Sequence, residues 1–212
     1  MNKYLEESAS VPLGEVLEVM QDRIVNRTTY FGVPALKNPI DFWVYQEIIN
    51  EVRPTLIIEI GNNFGGSTLA LAHLMDLVGS GRVIGIDIEH DRIYPQVRSH
   101  PRITLLEGDA CSMMEQVRLL VSPHDRVMVI EDSSHTYENT LNVLRTYSSF
   151  LQSGDYFIVE DSICHHGLDV GPDPGPYEAI EEFVRESGEF EIDRGRESFL
   201  ITWNPKGFLR RK

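Results

Sequence analysis

The chain has 212 residues, with 33 acidic against 19 basic side chains and a net charge of −14 when histidine is neutral. That length fits one domain able to bury a core without disulfide or zinc staples, and 42% hydrophobic with 25% charged residues is globular composition, not a disordered acidic tail. The charge argues against nucleic acid as a partner, no run reaches the roughly 18 apolar residues of a membrane span, and Cys111 and Cys164 cannot make a disulfide framework.

Residues 1–7 lack a basic segment leading into an apolar run, so no signal peptide is expected and a reduced cytoplasm is the expected setting. Residues 1–29 read as an amphipathic helix packed outside a sheet, and 30–39 as an irregular connection broken by Pro34 and Pro39. Short apolar, β-branched runs then occur at 55–60, 82–88, 102–106, 126–130 and 155–159. Between them lie stretches of helical spacing, including 67–78 and 137–150. This alternation predicts βαβ units and a parallel sheet covered on both faces, with the strand ends along one shared edge. A turn-rich stretch, 167–176, leads to a helix at 177–186 and to strand candidates at 190–193 and 198–203, which pair as an antiparallel edge hairpin.

The first run ends Ile57-Ile58-Glu59-Ile60-Gly61-Asn62-Asn63-Phe64-Gly65-Gly66-Ser67-Thr68: a strand, a glycine-rich turn and a helix start. A triphosphate loop needs lysine where Ser67 stands, and a dinucleotide loop needs a second glycine where Asn63 stands. A loop with no Lys or Arg, preceded by Glu59, suits S-adenosylmethionine, which carries a sulfonium and a ribose but no phosphate. Asp87 at the tip of the second strand can accept ribose hydroxyls, and Asp109 after the third can meet the adenine amino group. Taken singly, each such residue reads first as a plain strand terminator; the order along three successive tips is the signal. Candidate cofactor contacts are Glu59, Gly61, Asn62, Asn63, Gly65, Ser67, Asp87, Asp109 and Ala110.

The fourth run is followed by Glu131-Asp132-Ser133-Ser134-His135 and the fifth by Glu160-Asp161-Ser162. Neighbouring tips would gather Asp132, Glu160 and Asp161 as oxygen ligands for a hard cation, Mg²⁺ first, unless they are simply solvated acids at strand ends. Glu131 is expected inward or supporting. His135 is a candidate base for a hydroxyl that a metal has acidified, or a helix-start histidine bonded to backbone. Cys164-His165-His166 with Asp161 invites a zinc reading, but consecutive residues rarely aim at one ion; His165 or His166 is expected to line a substrate cleft instead.

Further stretches carry a resemblance: Gly32-Val33-Pro34 through Lys37-Asn38-Pro39-Ile40-Asp41, residues 59–66, Asp132-Ser133-Ser134-His135-Thr136-Tyr137, Gly154-Asp155-Tyr156-Phe157-Ile158-Val159-Glu160-Asp161, Gly175-Pro176-Tyr177-Glu178-Ala179-Ile180, and Thr202-Trp203-Asn204-Pro205-Lys206-Gly207-Phe208-Leu209-Arg210. With these the chain resembles the cephalosporin hydroxylase family, of S-adenosylmethionine-dependent methyltransferase fold, and is similar to metal-dependent O-methyltransferases of macrolide and rhamnosyl sugars. The resemblance covers most of 30–212, and its specific part is the D-x-x-H followed by E-D. It implies a Rossmann-like α/β methyltransferase fold, a seven-stranded and mostly parallel sheet with an antiparallel C-terminal hairpin and helices on both faces. Residues 40–212 would form that domain, with 1–39 a helical segment and loop packed on it. It implies cofactor held by Gly61, Ser67, Asp87 and Asp109, Mg²⁺ on Asp132, Glu160 and Asp161, and His135 as general base. Asn63 departs from the pattern, since many methyltransferases carry a second glycine in this loop.

The function expected is O-methylation of a hydroxyl on a small natural-product or sugar-like acceptor, by a homo-oligomer with no nucleic-acid or membrane partner. Loops 30–37 and 171–176 are positioned as candidate lids over that acceptor. The alternative is a cofactor-binding accessory protein of an oxygenase, without methyl transfer of its own. An iron oxygenase would need two histidines from His135, His165 and His166 plus one acid, at spacings nothing supports.

Overall fold

Helix α1 (Leu13–Arg27) buries Leu17 and Ile24, which pack with Ile163, Leu168 and Trp203 to one side of the main core. The computed structural model describes Tyr4 and residues 9–212, so part of the helix expected over 1–29 lies outside the described residues. Strands β1 (Thr29–Tyr30) and β2 (Val33–Pro34) pair antiparallel, so the connection expected to be irregular begins as a tight hairpin. Helix α2 (Pro39–Val52) is not singled out by the sequence reading. Asn38 caps it by accepting the Ile40 N–H at 3.1 Å, and Pro39 fills a first-turn position where an N–H would go unpaired.

Five parallel strands follow: β3 (Leu56–Ile60), β4 (Arg82–Asp87), β5 (Ile103–Glu107), β6 (Val127–Glu131) and β7 (Tyr156–Val159). Each lies within one residue of its expected span. The crossovers carry α3 (Gly66–Val78), α4 (Pro95–Arg98), α5 (Met114–Leu120) and α6 (Tyr137–Tyr147). After α7 (Pro176–Ser187), β8 (Phe190–Ile192) and β9 (Phe208–Arg211) complete a sheet of order β5-β4-β3-β6-β7-β9-β8. Alternate residues of β3 serve opposite faces: Leu56, Ile58 and Ile60 meet α5, α6 and α7, while Ile57 meets α2 and α3. Among the described residues no helix is long and apolar enough to cross a membrane, and both cysteines are free.

The C-terminal hairpin departs from expectation. β9 runs antiparallel to both β7 and β8 and lies between them, and its strand is 208–211, not 198–203. The earlier run cannot be a buried strand because Phe199 and Leu200 are exposed, whereas Phe208 and Leu209 are fully buried. Residues 202 and 203 instead bind the buried Asp41: Thr202 Oγ1 donates to it at 2.5 Å and Trp203 N at 2.8 Å. A turn then closes with Gly207 N donating to Asn204 O at 2.8 Å, and the chain enters the sheet.

The strand order reverses between β3 and β6, and register keeps the tips level: Ile60 lies opposite both Ile86 and Glu131, and Glu131 opposite Val159. A ligand crevice is expected there, at the carboxyl edge. The opposite edge is pinned by Asp125. Its carboxylate accepts Thr55 Oγ1 at 2.7 Å, Arg82 at 2.7 and 3.0 Å and Ser122 N at 2.7 Å, joining the starts of β3, β4 and β6. Burial works against the charged form, but Arg82 and the other donors outweigh it and hold this carboxyl at about 2. A depressed carboxyl stabilises the fold above its unfolded value near ~4, and that contribution fades as pH falls toward about 2. Asp125→Asn is therefore expected to cost about 1–2 kcal/mol at neutral pH, Arg82 being partly solvated. Denaturant melts should show the gap between variant and parent narrowing between pH ~4 and ~2.

Candidate active site

The tip of β3 turns at Gly61, whose φ of +89° no side chain adopts cheaply. A Cβ there would fall 1.9 Å from the Asp132 carbonyl oxygen, so β3 and β6 approach as closely as only glycine permits. Gly66 makes a similar contact, with Pro34 O 2.3 Å from where its Cβ would stand. The loop between is fixed by Asp87: Asn62 N and Asn63 N each donate to its Oδ2 at 2.8 Å. Asp109 at the next tip accepts Ser112 N at 2.8 Å through Oδ1. Glu59 lies beneath the loop, fully buried, where it accepts from Asn62 Nδ2 at 3.0 Å and from the Ser67 and Thr68 hydroxyls.

These tips open on a cavity of about 550 Å³. Of the sequence candidates, Gly61, Asn62, Asn63, Ser67, Asp87, Asp109 and Ala110 line it, as do Asp132, His135 and Asp161. Glu59, Gly65 and Glu160 do not: Glu59 supports the loop from below, Gly65 caps α3, and Glu160 faces a smaller pocket behind. Pro34, Ala35 and Leu36 close one side, as expected of loop 30–37, and Gln21 and Val25 of α1 join them. Loop 171–176, His165 and His166 take no part in this wall, which corrects the expectation for all three. His165 pairs with Asp169 at 3.0 Å, and His166 stacks on Tyr177 and bonds Glu178 at 2.5 Å, so no zinc cluster forms with the buried Cys164.

The carboxylate cluster divides in two. Facing the cavity, His135 Nε2 lies 3.1 Å from Asp132 Oδ1 and 3.5 Å from Asp161 Oδ2. Both His135 and Asp161 hold positive φ (56° and 54°), a strained backbone that fixes where their side chains start. Behind, the ammonium of Lys37 donates to Asp132 Oδ2 at 2.5 Å and to Glu160 Oε1. Lys37 is only 5% exposed. Glu131 turns inward and accepts Ser133 Oγ at 2.6 Å and Asn139 Nδ2 at 3.2 Å, a supporting position.

Burial pushes every carboxyl here up, and the neighbours decide the outcome. Asp132 nevertheless ends low, because Lys37 and His135 outweigh burial. Glu160 ends well above the usual range through burial and the adjacent Asp132, and Asp161 is raised by burial despite His135. Burial would lower His135, but its bond to Asp132 and the charges of Asp161, Asp132 and Glu131 raise it to about 10.

The donor set fits a hard divalent cation. The ligand atoms of Asp132, His135 and Asp161 all lie within 4.8 Å of one another, and oxygen donors predominate. His73, Asp76 and His100 also converge within that distance. There Asp76 already pairs with Arg102 at 2.5 Å, and His100 Nδ1 accepts the Arg102 N–H, which leaves the proton on the nitrogen facing Asp76. Lys37 is the site residue that sequence reasoning missed. It stands in a matched stretch, but nothing in its spacing names partners so far along the chain.

A family model described as Rhamnosyl O-methyltransferase/CmcI matches residues 22–212. The Rhamnosyl O-methyltransferase of Mycobacterium leprae (strain TN) is 40% identical over 195 residues, covering 88% of this chain and 84% of the relative. That of Mycobacterium bovis (strain BCG / Pasteur 1173P2) is 35% identical over 192 residues, covering 87% and 78%. A solved structure of CmcI with Mg and SAM (S-adenosylmethionine) superposes with TM-score 0.69 at 26% identity, covering 87% of this chain and 76% of that one. An O-methyltransferase from Bacillus cereus in complex with SAH shares the fold, with TM-score 0.58 at 16% identity over 89% and 86% of the chains.

The Gly61 contact gives a direct test of how the tips are held. Gly79 has nearly the same φ, +88°, but open space around it, so Gly79→Ala isolates the backbone cost, about 1–2 kcal/mol. Gly61→Ala adds a collision with rigid backbone and is expected to lower the melting temperature clearly further than Gly79→Ala in the same thermal scan.

Proposed function

The chain belongs to the Rhamnosyl O-methyltransferase/CmcI family, and on that premise we propose that it moves the methyl group of S-adenosylmethionine to a hydroxyl of a sugar-like or other small natural-product acceptor. The observation that carries this reading is the sharing of one cavity by the Asp87-fixed loop and the Asp132, His135, Asp161 cluster. A donor site and a proton-accepting site that share one cavity suit group transfer between two bound molecules.

Asp87 spends one carboxylate oxygen on the loop amides, which leaves the other for ribose hydroxyls. Asp109 likewise keeps Oδ2 for an adenine amino group while Oδ1 fixes its own turn. Ser67 lines the cavity but its hydroxyl is committed to Glu59, so it contributes shape more than recognition. Asn62 is turned down toward Glu59 and Thr68 and its N–H is held by Asp87, so it shapes the loop from within.

Asp132 and Asp161 would hold a divalent cation from the cavity side, with Glu160 as the third carboxylate once Lys37 releases it. When bound, such an ion supplies Lewis acidity that lowers the pKa of an acceptor hydroxyl. His135 is the group placed to take that proton. It is held protonated while the charges of Asp132 and Asp161 face it alone, and sharing those charges with a cation frees Nε2 to accept. Gln21, Val25 and Leu36 would form the acceptor wall. An accessory role without transfer is not favoured, because a proton acceptor beside a donor pocket has no use in a protein that only binds the cofactor.

Incubation with S-adenosylmethionine, Mg²⁺ and a panel of rhamnose-type and other sugar acceptors should yield a methylated product by mass spectrometry. EDTA should remove the activity and Mg²⁺ restore it. His135→Ala is expected to lower kcat about 10²–10⁴-fold while calorimetric binding of S-adenosylmethionine persists. Activity that survives both EDTA and Asp132→Asn unchanged would sink the metal assignment, and failure to bind S-adenosylmethionine would sink the whole reading.

A further inference from the structure

The chain contains only four lysines, Lys3, Lys37, Lys206 and Lys212, and one of them is buried at the carboxylate cluster. Its ammonium lies between Asp132 Oδ2 and Glu160 Oε1, with side chains 21% and 8% exposed. We propose that Lys37 is a tethered cation that stands in for the metal: its ammonium and a divalent ion compete for the same carboxylate oxygens, so Lys37 keeps the metal-free cluster folded and holds its metal affinity down. The inference rests on the function proposed above only in requiring that a divalent ion binds this cluster.

The geometry has three parts. Asp132 divides its oxygens, Oδ1 toward His135 and the cavity, Oδ2 toward Lys37, so a cation chelating this carboxylate meets the ammonium directly. Glu160 has its Oε1 on Lys37 and is absent from the cavity wall, so it cannot join Asp132 and Asp161 around an ion until that bond opens. Lys37 itself starts from a fixed backbone. Pro34 O lies against Gly66, Ala35 N donates to Thr28 O at 3.0 Å, and Asn38 caps α2, so the ammonium is presented rather than free to wander.

Elementary electrostatics gives the sign. Three carboxylates (Asp132, Glu160, Asp161) meet at one strand edge, and like charges at contact range in a poorly hydrated site repel strongly. Deleting the Lys37 ammonium unpairs the buried Glu160 and strips the half-buried Asp132 of one of its two cationic partners, which destabilises the empty site and at the same time removes a unit positive charge from beside an incoming cation.

The test uses the full chain with no methyl donor or acceptor. Mg²⁺ and Mn²⁺ binding is measured by calorimetry and by Mn²⁺ electron resonance on the parent, Lys37→Gln and Lys37→Arg, with thermal melts in EDTA and in Mg²⁺. Lys37→Gln should melt lower than the parent in EDTA, recover more on adding Mg²⁺, and bind the ion at least about tenfold more tightly. Lys37→Arg, which keeps the charge, should stay near the parent in affinity. In the parent itself the ¹⁵Nζ resonance of Lys37, assigned by its loss in Lys37→Arg, should move on Mg²⁺ titration with the midpoint of binding, a readout that holds even if Lys37→Gln does not fold. Equal or weaker binding by Lys37→Gln, a Lys37→Arg that behaves like it, or a stationary resonance would each overturn the inference while leaving the methyltransferase reading intact. Parent and variants that all bind no divalent ion would overturn both this inference and the metal assignment.

Discussion

Negative charge gathered at one strand edge is the constraint around which this molecule is built. Glu59, Glu131, Asp132, Glu160 and Asp161 all sit at or just below the carboxyl ends of β3, β6 and β7. Left to themselves they would repel one another and be driven to protonate. The structure answers by depth. Glu59 and Glu131, the innermost, are surrounded by neutral donors, Ser67, Thr68 and Asn62 for one and Ser133 with Asn139 for the other. Asp132, Glu160 and Asp161, nearer the mouth, are paired with side chains that can carry charge, Lys37 and His135. Neutral donors hold a carboxylate permanently; a charged partner can be exchanged for another cation. The outer arrangement is therefore the changeable one: Asp132, Asp161 and His135 open on the cavity, and Lys37 and Glu160 stand directly behind them.

The parallel strands were legible because a strand buried on both faces must be apolar throughout, and little else in a soluble chain looks like Leu56–Ile60 or Val127–Glu131. The acids after each tip were legible for the same reason: the apolar run stops where the chain reaches solvent at the ligand edge. The last strand was not. Phe199-Leu200-Ile201 has the composition of a strand yet is largely exposed, since Asp41 captures Thr202 and Trp203 from across the molecule before the run can pair. Local propensity cannot register a partner so far away in sequence.

The same limit separates the residues found at the site from those missed. Asp132 and His135 lie three positions apart in one loop, so spacing alone brings them together, whereas Lys37 reaches Asp132 and Glu160 from a segment before β3, the first strand of the seven-stranded sheet. Glu59 shows the converse error. It directly precedes the glycine loop and so reads as a cofactor contact, but β3 is buried on both faces and its position within the strand turns it under α3, where Ser67 and Thr68 bind it. Proximity in sequence to a binding loop does not decide which side of the loop a side chain serves.

The cavity wall that α1 contributes follows from these long-range ties rather than from α1 alone. Trp203 is fixed by Asp41 through its backbone N–H, and its carbonyl accepts Ile163 N at 3.0 Å, just past the Glu160-Asp161 pair. Its indole Nε1 donates to Gln21 Oε1 at 2.5 Å. Indole N–H can only donate, so Gln21 must turn its carbonyl toward Trp203 and leave its amide NH₂ for other partners. Gln21 lines the cavity, so one bonded chain runs from the strand end carrying the carboxylates to the helix that closes the far side of the pocket. A shift of α1 would have to strain Trp203, and through it the turn beyond Asp161. The wall proposed to meet the acceptor and the edge that would meet the cation are thus set by the same few bonds, which is how a helix lying outside the sheet comes to share in the geometry of the cavity.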